Sequence, residues 1–164
     1  MIHLEKINAQ NVWDLVALKV SESQENFVAP NETSIIEAYT AIGTGCTAFP
    51  FGIFDDKTPV GFLMIGHNEA AFDELCEDDV PEILRNNYTV WRLMIDEKHQ
   101  QKGYGREAVR LALEFIRTFP CGKAKYCVLS YEPENIIAKK LYASFGFEET
   151  GEIAGGEAIA VLKL

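Results

Sequence analysis

Residues 99–109 read HQQKGYGREAV, in which two glycines stand two positions apart just before a helical pattern. The preceding segment, YTVWRLMI at 88–95, is rich in β-branched and aromatic residues and predicts a buried strand. The following segment predicts a helix to about Phe119, since apolar residues recur at i, i+3, i+4 and i+7: Val109, Ala112, Leu113 and Ile116. The stretch is thus the turn of a strand–turn–helix unit, and several kinds of site use glycines at such a turn.

Two common phosphate-binding turns fail to fit these glycines. GYGREA matches the dinucleotide fingerprint, but a long connection separates Ile95 from Gly103, and the positions about 20 residues further on read PCGKAKY without an acidic residue. A Walker loop is excluded because no Gly-Lys-Ser/Thr follows. What remains is either a loop that only starts a helix or an anion site. In the second case the amides of residues 101–106 would bind the anion, with Lys98, Lys102 and Arg106 adding positive charge nearby.

The motifs resemble those of the GNAT acyltransferases, whose acyl donor is acetyl-CoA. Gln100-x-x-Gly103-x-Gly105 is similar to the family's Q/R-x-x-G-x-G/A pyrophosphate signature. LSYEPENIIAKKLYASFGFEETGE, residues 129–152, is similar to its next motif, with an asparagine that opens a helix and a tyrosine seven residues later. The resemblance extends over most of the chain.

The residue patterns and this resemblance together predict an α/β (α+β) fold in one domain spanning 1–164. The resemblance implies a mixed, mostly antiparallel twisted sheet flanked by helices. The predicted order is βααββ, then βαβα, then ββ. The expected elements are strands at 3–7, 47–54, 60–65, 88–95 and 126–131, helices at 9–20, 35–42, 104–119 and 133–144, and a closing pair of strands around 155–156.

The resemblance also implies a mechanism, in which a neutral amine attacks the acetyl thioester directly and Tyr142 is the general acid. The backbone of Leu93 and Ile95 would pair with the pantetheine arm and the thioester oxygen. The other expected cofactor-binding residues are Gln100, Gln101, Lys102, Gly103, Tyr104, Gly105, Arg106, Asn135 and Ala138. Asn135, Ala138 and Tyr142 share a helical stripe, although Asn135 alone could simply begin the helix and a tyrosine there could be core.

The general base is left open by the sequence. Some polyamine-acetylating relatives place a glutamate on the central strand, where this chain has Trp91 with Arg92 beside it. We therefore expect a chain of water that ends on Glu25, Glu37 or Glu69.

The acceptor is suggested by residues 20–38, VSESQENFVAPNETSIIEA, which resemble the matching segment of bacterial spermine/spermidine acetyltransferases. The resemblance implies a small polyamine as substrate, bound by acidic side chains and by aromatic rings through cation–π contacts. The expected residues are Glu22, Glu25, Phe27, Glu69 and Trp91, with Glu32 and Tyr39 as further candidates. An acetyltransferase for protein, peptide or other amines, and a non-catalytic acyl-CoA-binding module, remain as alternatives.

The composition and charge of the chain further narrow the range of possible functions. A formal net charge of −10 argues against nucleic acid as a partner, because duplex binding needs a basic surface. Acidic residues concentrate in 66–86 and basic ones in 98–125, which suggests a cationic ligand at the first segment and an anionic one at the second. The four cysteines are scattered, so neither a disulfide framework nor a metal site is expected. Without a signal-like start or an apolar span, we expect a cytoplasmic protein without membrane partners, with a homodimer as the candidate assembly.

Overall fold

A computed structural model describes residues 1–68 and 81–164. Within these ranges lie seven strands: β1 (Ile2–Lys6), β2 (Thr47–Asp55), β3 (Thr58–His67), β4 (Tyr88–Ile95), β5 (Tyr126–Tyr131), β6 (Glu148–Ala154) and β7 (Glu157–Lys163). They also contain four α-helices: α1 (Val12–Val16), α2 (Asn31–Gly43), α3 (Tyr104–Ile116) and α4 (Ile136–Ala143). Short 3₁₀ turns cover Glu22–Gln24, Glu82–Leu84 and Glu97–His99. The predicted element order is confirmed.

The strands form one mixed sheet in the order β1-β2-β3-β4-β5-β7-β6. Each neighbouring pair is antiparallel except β4 and β5, which are parallel. This is the mostly antiparallel α/β sheet that the sequence predicts. The parallel pair lies at its centre and brings the C-terminal half of the chain beside β4.

Helices cover both faces of the sheet because successive strand residues point to opposite sides. In β3, Leu63 and Ile65 join the core cluster that includes α3 and Tyr142 of α4. Phe62 and Met64 join the cluster of the opposite face, which includes Ala38 of α2. The four apolar residues predicted for the buried stripe of α3 are all buried, as the helical spacing requires.

The first helix is much shorter than the predicted span of 9–20. Residues 8–11 form a turn instead, since Asn11 accepts a hydrogen bond from the Asn8 amide at 2.9 Å and donates to the Lys6 carbonyl at 3.1 Å. After Val16 the chain turns toward β4, where the Lys19 amide donates to the Asp96 carboxylate at 3.1 Å. Hydrogen bonds to polar side chains therefore replace the predicted helix both before Val12 and after Val16.

The second helix starts earlier than predicted. It begins at Asn31 rather than Ile35, and no side chain caps it. Asn31 is buried and donates to the Leu15 carbonyl at 2.7 Å, whereas the Ser34 hydroxyl donates to the carbonyl of Pro30 just before the helix. The side chain of Asn31 therefore joins α2 to α1.

The other boundaries differ from the prediction by a few residues. α3 ends at Ile116 rather than at Phe119, whose φ of 53° is incompatible with a continuing helix. α4 begins after Asn135 rather than at Pro133, and β2 and β3 are longer than predicted. Among the described residues, no helix combines the length and the apolar character of a membrane span.

The pairing of β3 with β4 predicts that Gly61 does not tolerate a side chain. A Cβ atom there would overlap the Met94 carbonyl oxygen and approach Ile95 Cδ1 to 2.9 Å. Gly61→Ala should lower the free energy of unfolding by about 1–3 kcal/mol through overpacking. Gly43→Ala, at the end of α2 with nothing near the added atom, should change it by less than about 1 kcal/mol. Urea unfolding of both variants measures the difference, and equal stabilities would contradict this account of β3–β4 packing.

Candidate functional site

The central feature of the site is the divergence of β4 from β5. Their pairing consists of Tyr88 with Cys127 and Thr89 with Val128. Beyond Thr89 the two strands separate, so β4 continues to Ile95 with only β3 beside it. Separated strands leave backbone groups without ladder partners, and a ligand can bind those groups.

The orientation of the β4 backbone identifies the open groups. The Asp96 amide donates to the Val60 carbonyl at 2.9 Å and so faces β3. Because neighbouring residues alternate in direction, the backbone groups of Leu93 and Ile95 face away from β3 into the opening. The register with β3 shifts between Met64 and Ile65, which leaves Trp91 as an extra residue in a β-bulge.

The glycine turn completes one side of this opening. Gly103 precedes α3 with a left-handed φ of 86°, which favours glycine. The first amides of an α-helix have no acceptor within the helix. Those of α3, next to the end of β4, are therefore available to a ligand, and the anion site that the sequence predicts at this turn stays a prediction.

A cleft of about 300 Å³ runs between the glycine turn, the end of β4 and α4. We call it the glycine-turn cleft. Eleven predicted site residues line it: Phe27, Leu93, Ile95, Gln100, Gln101, Gly103, Tyr104, Gly105, Asn135, Ala138 and Tyr142. Val20, Gln24, Val28, Ile137 and Leu141 add most of its remaining wall. The cleft is narrow and largely apolar, and it has the polar glycine turn at one end.

Gln100 links the glycine turn to the segment between α1 and α2. Its side-chain amide donates to the Gln24 Oε1 atom at 2.7 Å and to the Ile95 carbonyl at 3.0 Å. Gln24 Oε1 also accepts from the Ser21 hydroxyl at 3.1 Å. The Ile95 carbonyl keeps a second lone pair for a ligand. Two distant parts of the chain thus meet at this side chain.

Three other predicted residues near the turn direct their side chains elsewhere. Tyr104 donates to the Asp55 carboxylate at 2.8 Å, and Lys102 donates to the Lys98 carbonyl at 2.9 Å. Arg106 donates to the Ser144 hydroxyl at 3.1 Å and lies over the Phe145 ring. Lys102 and Arg106 are not part of the cleft wall. They contribute positive charge and backbone amides near the turn.

A second cleft of about 340 Å³ adjoins the first and is lined by α4, β4, β5 and residues 25–30. We call it the acidic cleft because Glu25 and Glu157 lie in its wall. It shares six residues with the glycine-turn cleft: Phe27, Val28, Leu93, Asn135, Ala138 and Tyr142. The two clefts therefore meet at the stripe of α4, where two bound molecules can come into contact.

The stripe of α4 has the geometry that its spacing predicts. Asn135, Ala138 and Tyr142 line both clefts. Asn135 caps α4 by accepting a hydrogen bond from the Ala138 amide at 3.1 Å, so its role in beginning the helix is real. The small Ala138 leaves space between the two polar side chains.

The environment of Tyr142 favours its protonated form. Tyr142 is 8% exposed, and burial raises the pKa of its hydroxyl well above the ordinary value. Its ring stacks on Tyr131 with centroids 5.9 Å apart. Burial and a hydrogen bond to Glu149 raise the pKa of Tyr131 to about 12. Tyr142 therefore keeps its proton at neutral and moderately alkaline pH.

The charged residues around the acidic cleft differ in their partners. Glu37 forms a salt bridge with Arg92, with 3.0 Å between Oε2 and Nη2, and lies outside both clefts. The buried Arg92 Nε atom has no hydrogen-bond partner among the described residues. Glu157 accepts a hydrogen bond from the Ser130 hydroxyl, and Glu25 is exposed at the cleft edge. Trp91 also lines this cleft.

Some predicted acceptor residues lie elsewhere. Glu22 and Tyr39 are exposed and line neither cleft. Glu32 borders a separate cavity behind the segment that joins α1 and α2. Glu69, with most of the acidic segment, falls outside the described residues.

The residues of the clefts that were missed from the sequence include two with functional side chains, Gln24 and Glu157. Gln24 lies in a polar segment and is recognisable only through its contact with Gln100. Glu157 follows a hairpin turn like many surface glutamates, and only the pairing of β7 with β5 carries it to the acidic cleft.

The described cysteines are unsuited to nucleophilic catalysis at this site. Cys121 and Cys127 are free thiols, and none of the described cysteines, Cys46 included, lines either cleft. Burial raises the pKa of Cys127 to about 12, so it remains a thiol at neutral pH. Within 1–68 and 81–164, no group of His, Cys, Asp and Glu side chains is arranged to hold a metal ion.

Comparison with known proteins gives a consistent result over the full chain. The model of the acetyltransferase (GNAT) family matches residues 14–147. The spermine/spermidine N(1)-acetyltransferase of Bacillus subtilis strain 168 is 29% identical over 167 residues, which cover 99% of each chain. A probable spermine N(1)-acetyltransferase of Bacillus subtilis subsp. natto is 28% identical with the same coverage.

Solved structures share the fold at lower identity. An aminoglycoside acetyltransferase in complex with coenzyme A and kanamycin is 17% identical, with a TM-score of 0.74 over 99% of this chain and 95% of that one. The spermidine N-acetyltransferase of Vibrio cholerae, in complex with CoA and spermine, is 16% identical, with a TM-score of 0.67 over 99% and 94%.

The glycine-turn cleft predicts a graded effect of side chains at Gly105. A Cβ atom there would lie 3.7 Å from Leu141 and 3.8 Å from Ile95, which are ordinary contacts. Gly105→Ala should therefore fold normally and weaken CoA binding only slightly. Gly105→Val places further methyl groups in the cleft and should weaken CoA binding by about tenfold or more, equivalent to about 1.4 kcal/mol. Calorimetry with CoA measures both, and unchanged affinity in the valine variant would remove this turn from the binding site.

Proposed function

This chain belongs to the GNAT acetyltransferase family, and on that premise we propose that it transfers acetyl from acetyl-CoA to a primary amine of a linear polyamine such as spermidine or spermine. The observation that carries the proposal is the junction of two unlike clefts at Tyr142. One cleft is largely apolar and has free helix amides at its end, and the other contains the carboxylates of Glu25 and Glu157 together with Arg92. An acetyl-CoA molecule fits the first description and a polyamine the second.

The glycine-turn cleft is the proposed site of the acyl donor. The first amides of α3 bind the pyrophosphate, aided by the positive charge of Lys102 and Arg106. The pantetheine arm lies along Leu93 and Ile95, whose backbone groups pair with its amides, and Asn135 and Ala138 flank it. The thioester carbonyl then lies at the junction with the acidic cleft, where a β4 backbone amide can stabilise the oxyanion.

Tyr142 is the proposed general acid. When the neutral amine attacks the thioester, the C–S bond breaks and the thiolate needs a proton. The raised pKa of Tyr142 ensures that its hydroxyl carries that proton when the substrates bind. No described cysteine lies in either cleft, which agrees with direct transfer without an acyl-enzyme.

The acidic cleft is the proposed acceptor site. Glu25 attracts an ammonium group, and the rings of Phe27 and Trp91 can contact cationic methylene chains. The full-length similarity to a spermine/spermidine acetyltransferase supports a polyamine in particular. Glu69 remains a candidate for binding a second ammonium group.

Tyr142→Phe should slow the chemical step without affecting donor binding. The variant keeps the ring that packs between Tyr131 and Phe147 and removes only the hydroxyl proton. We expect kcat to fall by about 10²-fold or more, with CoA affinity changed less than about twofold. Tyr126→Phe, which removes a hydroxyl outside both clefts, is the matched control and should retain wild-type kcat. Thiol release measures both, and full activity of Tyr142→Phe would exclude its hydroxyl as the acid.

Acceptor preference should rise from monoamine to diamine to polyamine, because each added ammonium can meet another carboxylate. Salt should raise KM more than it lowers kcat, since exposed charges are screened beyond about 8 Å at physiological ionic strength. Glu25→Gln should raise the KM for spermidine several-fold, whereas Glu152→Gln removes an equal charge outside both clefts and should not. Thiol release with an amine panel, with and without each acceptor, provides the measurement. If a monoamine with an uncharged tail is acetylated as fast as spermidine, the result would favour another class of amine as the substrate.

A further inference from the structure

We infer that Glu157 binds the reacting ammonium group and accepts its proton before attack on the thioester. This inference rests on the proposed function and adds a proton acceptor to it. The amine of a polyamine is mostly protonated at neutral pH, because its pKa is near that of lysine, about 10.4. A protonated amine has no lone pair for attack, so the site needs a group that removes one proton.

The position of Glu157 suits this role. It is the first residue of β7, half-buried, and its carboxylate accepts a hydrogen bond from the Ser130 hydroxyl of β5. Ser130, Glu157 and Tyr142 line the acidic cleft together. Glu157 makes no ion pair with a described residue, and Arg92, the cation of the same cleft, is paired with Glu37, so the negative charge of Glu157 is open to a cationic ligand.

The other candidate carboxylates are less well placed. Glu37 is engaged by Arg92 and lines neither cleft. Glu25 lies in the exposed segment at the edge of the acidic cleft, where it can hold a distant ammonium group. Glu157 lines the acidic cleft together with Tyr142, and after burial its negative charge is among the causes that raise the pKa of Tyr142.

The proton transfers balance over one turnover. Glu157 takes one proton from the ammonium group, and the freed lone pair forms the C–N bond at the thioester carbonyl. The C–S bond breaks, its electron pair leaves with sulfur, and Tyr142 protonates the thiolate. The nitrogen then loses a second proton, which returns to Tyr142 through water. The proton on Glu157 passes to solvent, so the products are the N-acetylamine, CoA thiol and one released proton.

Glu157→Gln tests this role through the pH dependence of turnover. Glutamine can still accept the Ser130 hydrogen bond but cannot take a proton at neutral pH. We expect kcat/KM for spermidine to fall about 10²-fold at pH 7. The defect should shrink as the pH rises toward about 10, where the free amine becomes abundant. With an aromatic amine, which is already neutral at pH 7, the variant should lose less than about threefold.

Control variants separate this role from a structural one. Glu152→Gln, on the same hairpin and outside both clefts, should match the wild type at every pH. Glu157→Asp keeps a carboxylate and should keep the pH profile of the wild type. Calorimetry with CoA should give wild-type affinity for all three, since Glu157 does not line the glycine-turn cleft.

The possible results separate failure of the proposed function from failure of the proposed role of Glu157. If the wild type releases no thiol with any amine, the proposed function is wrong. If the wild type acetylates spermidine and Glu157→Gln matches it at pH 7, only the role of Glu157 is wrong. A Glu157→Gln defect of equal size at every pH and with both acceptors would also contradict proton acceptance, as would the predicted pH signature appearing in Glu25→Gln instead.

Discussion

The site depends on the loss of pairing between β4 and β5 after Thr89. An edge in the middle of a sheet is normally costly, because buried amides and carbonyls need partners. Here the opening is supported on one side by the continuous β3–β4 ladder and on the other by α4, whose stripe faces the gap. The bulge at Trp91 lies near the point of separation and increases the twist of β4 there. The unpaired backbone thus becomes a binding surface.

Electrostatic differences divide this opening into two parts. The glycine turn presents helix amides and nearby cations, whereas the acidic cleft presents Glu25 and Glu157. Tyr142 lies between them in a buried position that disfavours its phenolate. The proposed acid and the proposed base therefore occupy neighbouring but different environments.

Local sequence patterns predicted the parts of the site that are formed by a single continuous segment of the chain. The strand at 88–95, the glycine turn and the stripe from Asn135 to Tyr142 all follow from spacing within a few residues. Helix α1 was overestimated because Asn8 and Asn11 form a turn that apolar periodicity does not reveal. Glu157 was missed because its position depends on register between strands far apart in the chain. The salt bridge between Glu37 and Arg92 was not predicted for the same reason, because it joins two elements that are far apart in the chain.

The hydrogen bonds of Gln100 have a consequence for how this enzyme can change its specificity. Gln24 belongs to the segment whose next residues, from Glu25 onward, form the wall of the acidic cleft. It also accepts from Gln100, which holds the Ile95 carbonyl at the glycine turn. A sequence change that reshapes this wall therefore also disturbs the hydrogen bonds of Gln100 at the glycine turn. Under the proposed function, selection on the acceptor and selection on the cofactor act on connected residues, so their effects in evolution are epistatic rather than independent.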